Sequence, residues 1–125
     1  MFKSGNVTII VNDFNKAVEF YVETLGLNLQ YKIEGHLAQV SVPGLTILLI
    51  YPNGENGSKQ VKSDSVSIGL EVKELDSAVE LLKSRGVKFY HFMDSETSRF
   101  AYFSDQQGTS LYLVELRKQP NASDI

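Results

Sequence analysis

Cysteine is absent from the 125 residues and histidine occurs only twice. Without cysteine there is no disulfide frame, no thiolate nucleophile and no Cys-ligated zinc. Basic clusters are missing as well. With a net charge of −3 and a pI near 5.3, the chain lacks the grouped Lys and Arg that nucleic-acid phosphates require. No apolar run approaches the thickness of a bilayer, since the longest spans only Leu45 to Tyr51. The opening Met1-Phe2-Lys3-Ser4-Gly5 runs straight into a strand pattern without the apolar segment of a secretory signal. A cytoplasmic protein with no nucleic-acid or membrane partner is therefore expected. The glycosylation-type triplets at Asn56 and Asn121 read as coincidence.

What is present is an ordinary soluble composition, 42% hydrophobic and 22% charged, in a chain of one domain's length. Its most informative feature is a repeat. Val7-Thr8-Ile9-Ile10-Val11 leads through Asn12-Asp13 into Phe14 to Leu25 and stops at Gly26. Val66 to Val72 leads through Lys73-Glu74 into Leu75 to Arg85 and stops at Gly86. With Val11 laid on Val72, Asp13 falls on Glu74 and Ala17-Val18-Glu19 on Ala78-Val79-Glu80. A strand–helix unit recurring at a fixed offset is the mark of a duplicated architecture.

Within the first copy, period two puts Val7, Ile9 and Val11 on one strand face and Asn6, Thr8 and Ile10 on the other. Asp13 is placed to cap a helix. Ala17, Phe20, Tyr21, Thr24 and Leu25 give that helix an apolar stripe. Three strands follow, at Leu29–Ile33, Leu37–Val42 and Leu45–Tyr51, with turns at Glu34-Gly35-His36 and Pro43-Gly44. The polar, glycine-rich segment 52–64 reads as a linker. In the second copy Val66, Ile68, Leu70 and Val72 face a helix whose stripe is Leu75, Ala78, Leu81 and Leu82. Strands at Val87–Met93, Arg99–Ser104 and Leu111–Leu116 complete it, with a hairpin at Asp105-Gln106-Gln107-Gly108 and a frayed tail after Arg117. The pattern predicts an α+β fold of two βαβββ modules, about 5–51 and 66–116, joined in one domain.

These residues resemble the vicinal oxygen chelate superfamily, which includes glyoxalase I, extradiol dioxygenases, fosfomycin-resistance enzymes and bleomycin-resistance proteins. Val11-Asn12-Asp13, Ala17-Val18-Glu19-Phe20-Tyr21 and Leu25-Gly26-Leu27 look like that family's opening. Tyr102 to Gly108 is similar to its aromatic–Asp–Pro–x–Gly hairpin, with Gln106 where proline is usual. The resemblance implies sheets that curl into an open cup, usually within a dimer. In the metal-dependent members it implies a divalent ion held from strand one and the last strand of each module. Carried over, those positions are Asn6, Leu48, Ser67 and Tyr112, none of them His or Glu. An amide carbonyl and two neutral hydroxyls are weak ligands and an alkyl group is none. No metal and no other cofactor is therefore expected.

The remaining candidates are few. His36 reads as an exposed turn residue, His91 as a half-buried strand residue between aromatics, and Glu71 as a rim charge on the cup-facing side of its strand. Glu115 has the opposite parity to Tyr112 and merely ends a strand. The cup is then lined by Asn6, Thr8, Leu48, Ser67 and Tyr112, with Glu71 at its rim and Tyr102 and His91 as walls. Apolar and aromatic surface with few polar anchors suits a small-molecule pocket. The expectation is a homodimer of the bleomycin-resistance kind that holds a flat, aromatic or cationic molecule. The alternatives are a metal-dependent lyase or dioxygenase of the same superfamily, and a non-catalytic interaction domain with a filled cup.

Overall fold

Each copy of the repeat folds as a strand, a helix and a three-stranded meander in the computed structural model, which describes residues 1–52 and 66–117. Most of the expected linker and the tail beyond Arg117 lie outside the described residues. The chain divides into two compact units, Met1–Lys62 and Ser63–Ile125.

The first unit contains β1 (Val7–Ile10), α1 (Phe14–Val18) continuing as a π-helical segment over Glu19–Thr24, β2 (Asn28–Ile33), β3 (Leu37–Val42) and β4 (Leu45–Ile50). Its sheet runs β1-β4-β3-β2, with β1 parallel to β4 and the other pairs antiparallel. Asp13 caps the helix as its position predicts, its Oδ1 accepting from Lys16 N at 3.1 Å. The π-helical widening is marked by the Leu25 N–H donating to Phe20 O. It lets two consecutive residues, Phe20 and Tyr21, both turn inward, their rings meeting edge to face at 5.3 Å. They join Ile9, Val11, Phe14, Ala17, Ala38, Val40, Ile47 and Leu49 in a core between helix and sheet. The stripe begins earlier than its spacing suggests: Phe14 is buried, while Thr24 and Leu25 are only half-buried.

The second unit repeats the plan with β5 (Ser67–Glu71), α2 (Leu75–Ser84), β6 (His91–Asp94), β7 (Ser98–Ser104) and β8 (Ser110–Leu116), in the order β5-β8-β7-β6. β5 is parallel to β8, so the two sheets have the same topology. Ile68, Leu75, Val79, Leu82, Ala101, Phe103, Leu111 and Leu113 form its core. Gly86, at φ 93°, ends α2 in the left-handed region, as the sequence requires of a helix stop.

Four details differ from expectation. Val79 rather than Leu81 is buried on α2, because Leu75, Val79 and Leu82 follow the steps of four and three that keep one face, leaving Leu81 50% exposed. Val66 precedes β5 and is exposed, so the helix-facing set begins at Ile68. The sixth strand starts at His91 instead of Val87, because pairing with β7 begins at His91 opposite Tyr102. β2 does not alternate cleanly: the register shifts between Leu29 and Tyr31, a bulge that leaves Gln30 as the extra residue.

The α2 N-terminus is capped from a distance. Glu74 occupies the cap position without capping through its side chain, and Ser77 Oγ donates to its carboxylate at 3.0 Å. Glu115 of β8 instead reaches the helix side of the sheet, where its Oε1 accepts from Leu75 N at 2.7 Å. Its parity is the one expected, but it does more than end a strand, since its carboxylate caps α2. The final hairpin is held by the buried Asp105, whose Oδ1 accepts from Gln107 N at 3.1 Å and Thr109 N at 2.8 Å. No helix among the described residues is long and apolar enough to cross a membrane.

Candidate functional site

Because each helix covers one face of its sheet, the other face carries whatever the core does not need. In the second unit that far face presents a cross-strand row, Gly69, Tyr112, Tyr102 and His91, fixed by register. The adjacent row is Glu71, Val114, Phe100 and Met93. The rings form a continuous aromatic surface. Tyr102 and Tyr112 lie 5.3 Å apart, Phe100 and Tyr112 5.7 Å, Phe100 and Tyr102 6.3 Å, and His91 and Tyr102 5.7 Å. These separations are those of favourable aromatic pairs. Phe100, Tyr102 and Tyr112 are half-buried, whereas His91 is exposed rather than half-buried, because it begins the edge strand.

The Tyr112 ring lies over Gly69. A Cβ built on Gly69 would stand 2.4 Å from Tyr112 Cζ and 2.5 Å from its hydroxyl oxygen. Gly69 does not adopt a positive φ, so glycine is needed there for space and not for backbone freedom. One step along β5 toward its start, the Ser67 hydroxyl bonds to Ser110 Oγ at 2.8 Å. Toward its end, Glu71 is exposed.

The corresponding row of the first unit is Thr8, Leu48, Gln39 and Tyr31. Thr8 is exposed and Leu48 half-buried, and Asn6 lies exposed just before β1. Gln39 Nε2 donates to Gln30 Oε1, which ties the bulge to β3. Here the far face is polar and aliphatic except for Tyr31 on the edge strand. Of the sequence-predicted residues, Tyr112, Tyr102 and His91 stand side by side in one unit, with Ser67 and Glu71 on the same face, and Thr8 and Leu48 are neighbours in the other. His36 sits exposed in its turn.

Phe100 and Gly69 complete the second face; the sequence places Gly69 on it by strand parity without giving it a role, and does not single out Phe100. The signal was available: Phe100 shares the parity of Tyr102 along β7, and Gly69 that of Ser67 and Glu71 along β5.

The donor chemistry fits a divalent ion poorly. Thr8 pairs with Leu48 in register, so the Leu48 position offers only an alkyl group beside a neutral hydroxyl. In the second unit the Ser67 hydroxyl is engaged with Ser110, and the Tyr112 ring is laid on Gly69. Among the described residues, no three His, Cys, Asp or Glu side chains come together as a metal-ligating group. In the second unit the ion pairs lie on the helix side instead. Arg99 donates to Asp76 at 3.0 Å and to Asp94 at 3.2 Å. The Arg99 hydrogen bond and charge hold the Asp76 carboxyl below its ordinary range, and the two carboxylates raise Arg99.

Two βαβββ units, each with a parallel outer pair and one helix-covered face, define a glyoxalase-like α+β protein. The family model of the Glyoxalase/Bleomycin resistance protein/Dioxygenase superfamily matches residues 3–112, and the chain belongs to that superfamily. It is 30% identical over 118 residues to the uncharacterized protein YetH of Bacillus subtilis (strain 168), covering 89% of this chain and 96% of that one. A solved superfamily member from Sphaerobacter thermophilus DSM 20745 is 31% identical, with a TM-score of 0.70, over 92% of this chain and 98% of the other. TnmS3, an antibiotic binding protein from Streptomyces sp. CB03234, shares the fold at a TM-score of 0.72 and 24% identity, over 93% of this chain and 97% of its own.

Proposed function

We propose that this protein binds a flat aromatic small molecule and sequesters it without a bound metal. The observation that carries the reading is the aromatic row of the second unit, where Tyr112 stands at a position that a metal-dependent relative would give to a ligand. A stacked ligand would gain contact with two or three rings at little cost in side-chain ordering, because the rings already pack on one another. Fold likeness to an antibiotic binding protein supports the same class of role. In this reading the two modules belong to one domain, joined through 52–64, and Asn6, Thr8 and Leu48 belong to the far face of the first unit's own sheet. The protein is a cytoplasmic homodimer, in keeping with the apolar Leu29, Tyr31, Phe92 and Met93 exposed on the edge strands β2 and β6.

A second reading is favoured by the Tyr112 ring resting on Gly69: the ring itself fills the place of a ligand, and the protein is a non-catalytic interaction domain. Thermal unfolding separates the readings. A ligand that binds only the folded state at 100 times its Kd adds about 2.7 kcal/mol, a shift of several degrees. Acridine is expected to raise Tm in this way and zinc, nickel, manganese and ferrous ions are not. Tight stabilisation by one of those ions would overturn the metal-free reading, and no response to any planar aromatic would favour the filled interior.

A further inference from the structure

Resting on that reading, we infer that the guest of the second unit's far face is a planar organic cation, its ring on Tyr102 and Tyr112 and its charge toward Glu71. The first ground is the surface itself. Phe and Tyr faces carry negative potential and attract a cation laid over them, and three such rings stand together on this face.

The second ground is where charge lies around them. Glu71 shares that face and follows Gly69 by one two-residue step, about 7 Å along the strand. It forms no ion pair among the described residues. Arg99, the one Lys or Arg within these four strands, sits on the helix side and is engaged by Asp76 and Asp94. His91 is the other basic side chain in the sheet, and it stands at the opposite edge, three strand spacings or about 14 Å from β5. A positive group between Glu71 and the rings therefore meets one carboxylate and the neighbouring π faces. The nearest cation along the chain, Lys73, is exposed one two-residue step beyond Glu71, on the side away from the rings. A planar anion in the same place would meet the like charge of the Glu71 carboxylate and the negative ring faces.

An isosteric series tests this. N-Methylacridinium, acridine in mildly alkaline buffer where it is uncharged, and acridine-9-carboxylate are titrated against the full chain by fluorescence. The cation is expected to bind about tenfold tighter than acridine, and the anion weakest. Glu71→Gln should narrow the gap between cation and neutral ligand several-fold, whereas Tyr102→Leu, checked for folding by far-UV circular dichroism, should weaken both. Equal affinities, a preference for the anion, or a gap untouched by Glu71→Gln would overturn the assignment. If acridine still bound and Tyr102→Leu still weakened it, stacking on the aromatic face would stand without the cation. Failure of all three compounds to bind would remove both readings.

Discussion

Replacing Gly69 by alanine tests the feature on which the aromatic surface depends. The new Cβ would sit 2.4 Å from Tyr112 Cζ, where ordinary contact begins near 3.4 Å, so the ring must withdraw by about 1 Å. The clashing atoms belong to the far end of a side chain that is half-buried, so the ring can swing instead of forcing the backbone apart. In doing so it loosens its contacts with Tyr102 and Phe100. Overpacking of this kind costs about 1–3 kcal/mol. Against it, alanine removes unfolded-state freedom that glycine has, worth about 0.4–1 kcal/mol where the native backbone suits both, as the ordinary φ of Gly69 indicates. Gly69→Ala should therefore destabilise the protein by about 1 kcal/mol. In a Tyr112→Ala background the clash is gone and the same substitution should stabilise by about 0.5 kcal/mol. The coupling between the two sites is then about 1.5 kcal/mol. Urea unfolding of the four proteins, with m held constant across the cycle, measures it. A Gly69→Ala effect of the same sign and size in both backgrounds would refute the claim that the Tyr112 ring is what Gly69 makes room for.

Two further tests address the frame that holds this surface. Glu115→Ala removes the carboxylate that accepts from Leu75 N and leaves the first turn of α2 without its long-range cap, so a loss of about 1–2 kcal/mol is expected in urea unfolding, with Glu115→Gln recovering part of it. Asp76, held below its ordinary value of 3.8 by Arg99, contributes stability that is present above that value and lost as pH falls through the lower folded-state value. The stability difference between the parent and Asp76→Asn should accordingly shrink on acidification below about pH 4, and shrink also with added salt, since the pair is exposed; a difference flat in pH would exclude the linkage.

The sequence carried the fold well because the repeat and the strand parity are enforced by burial. A one-residue slip in β3 would exchange Ala38 and Val40 for Gln39 and Ser41 on the helix side, so the pattern can be read in one way only. Helix ends were equally legible where a cap is local, as at Asp13. What was hidden is what depends on partners distant in sequence. The start of β6 is set by where β7 pairs with it. The cap on Leu75 comes from Glu115, forty residues on. The π-helical turn that brings Phe20 and Tyr21 inward together has no signature in residue spacing. At the candidate site the parity of Ser67, Glu71, Tyr102 and Tyr112 was readable, but the reason for Gly69 was not, because a glycine with ordinary dihedrals looks in sequence like a weak strand residue.

The duplication makes the chemical asymmetry of the two units interpretable. Thr8 corresponds to Gly69, Leu48 to Tyr112, Gln39 to Tyr102 and Tyr31 to His91, each pair in the same place in the same topology. The helix-side residues at neighbouring positions, Ile9 and Leu70, Leu49 and Leu113, Ala38 and Ala101, stay aliphatic, since each helix needs an apolar sheet beneath it. Stability is thus carried by one face of each sheet, and the other was free to diverge. In one unit it holds a threonine, a leucine, a glutamine pair and a tyrosine on the edge strand; in the other, a glycine that admits a tyrosine ring over the strand. The second arrangement requires two changes together, since a large ring at 112 with a side chain at 69 would clash, and Gly69 without the ring would leave an uncovered strand. On the proposed reading, a guest for that face accounts for such a coupled pair, which lies on the side of the sheet that supplies no core residue.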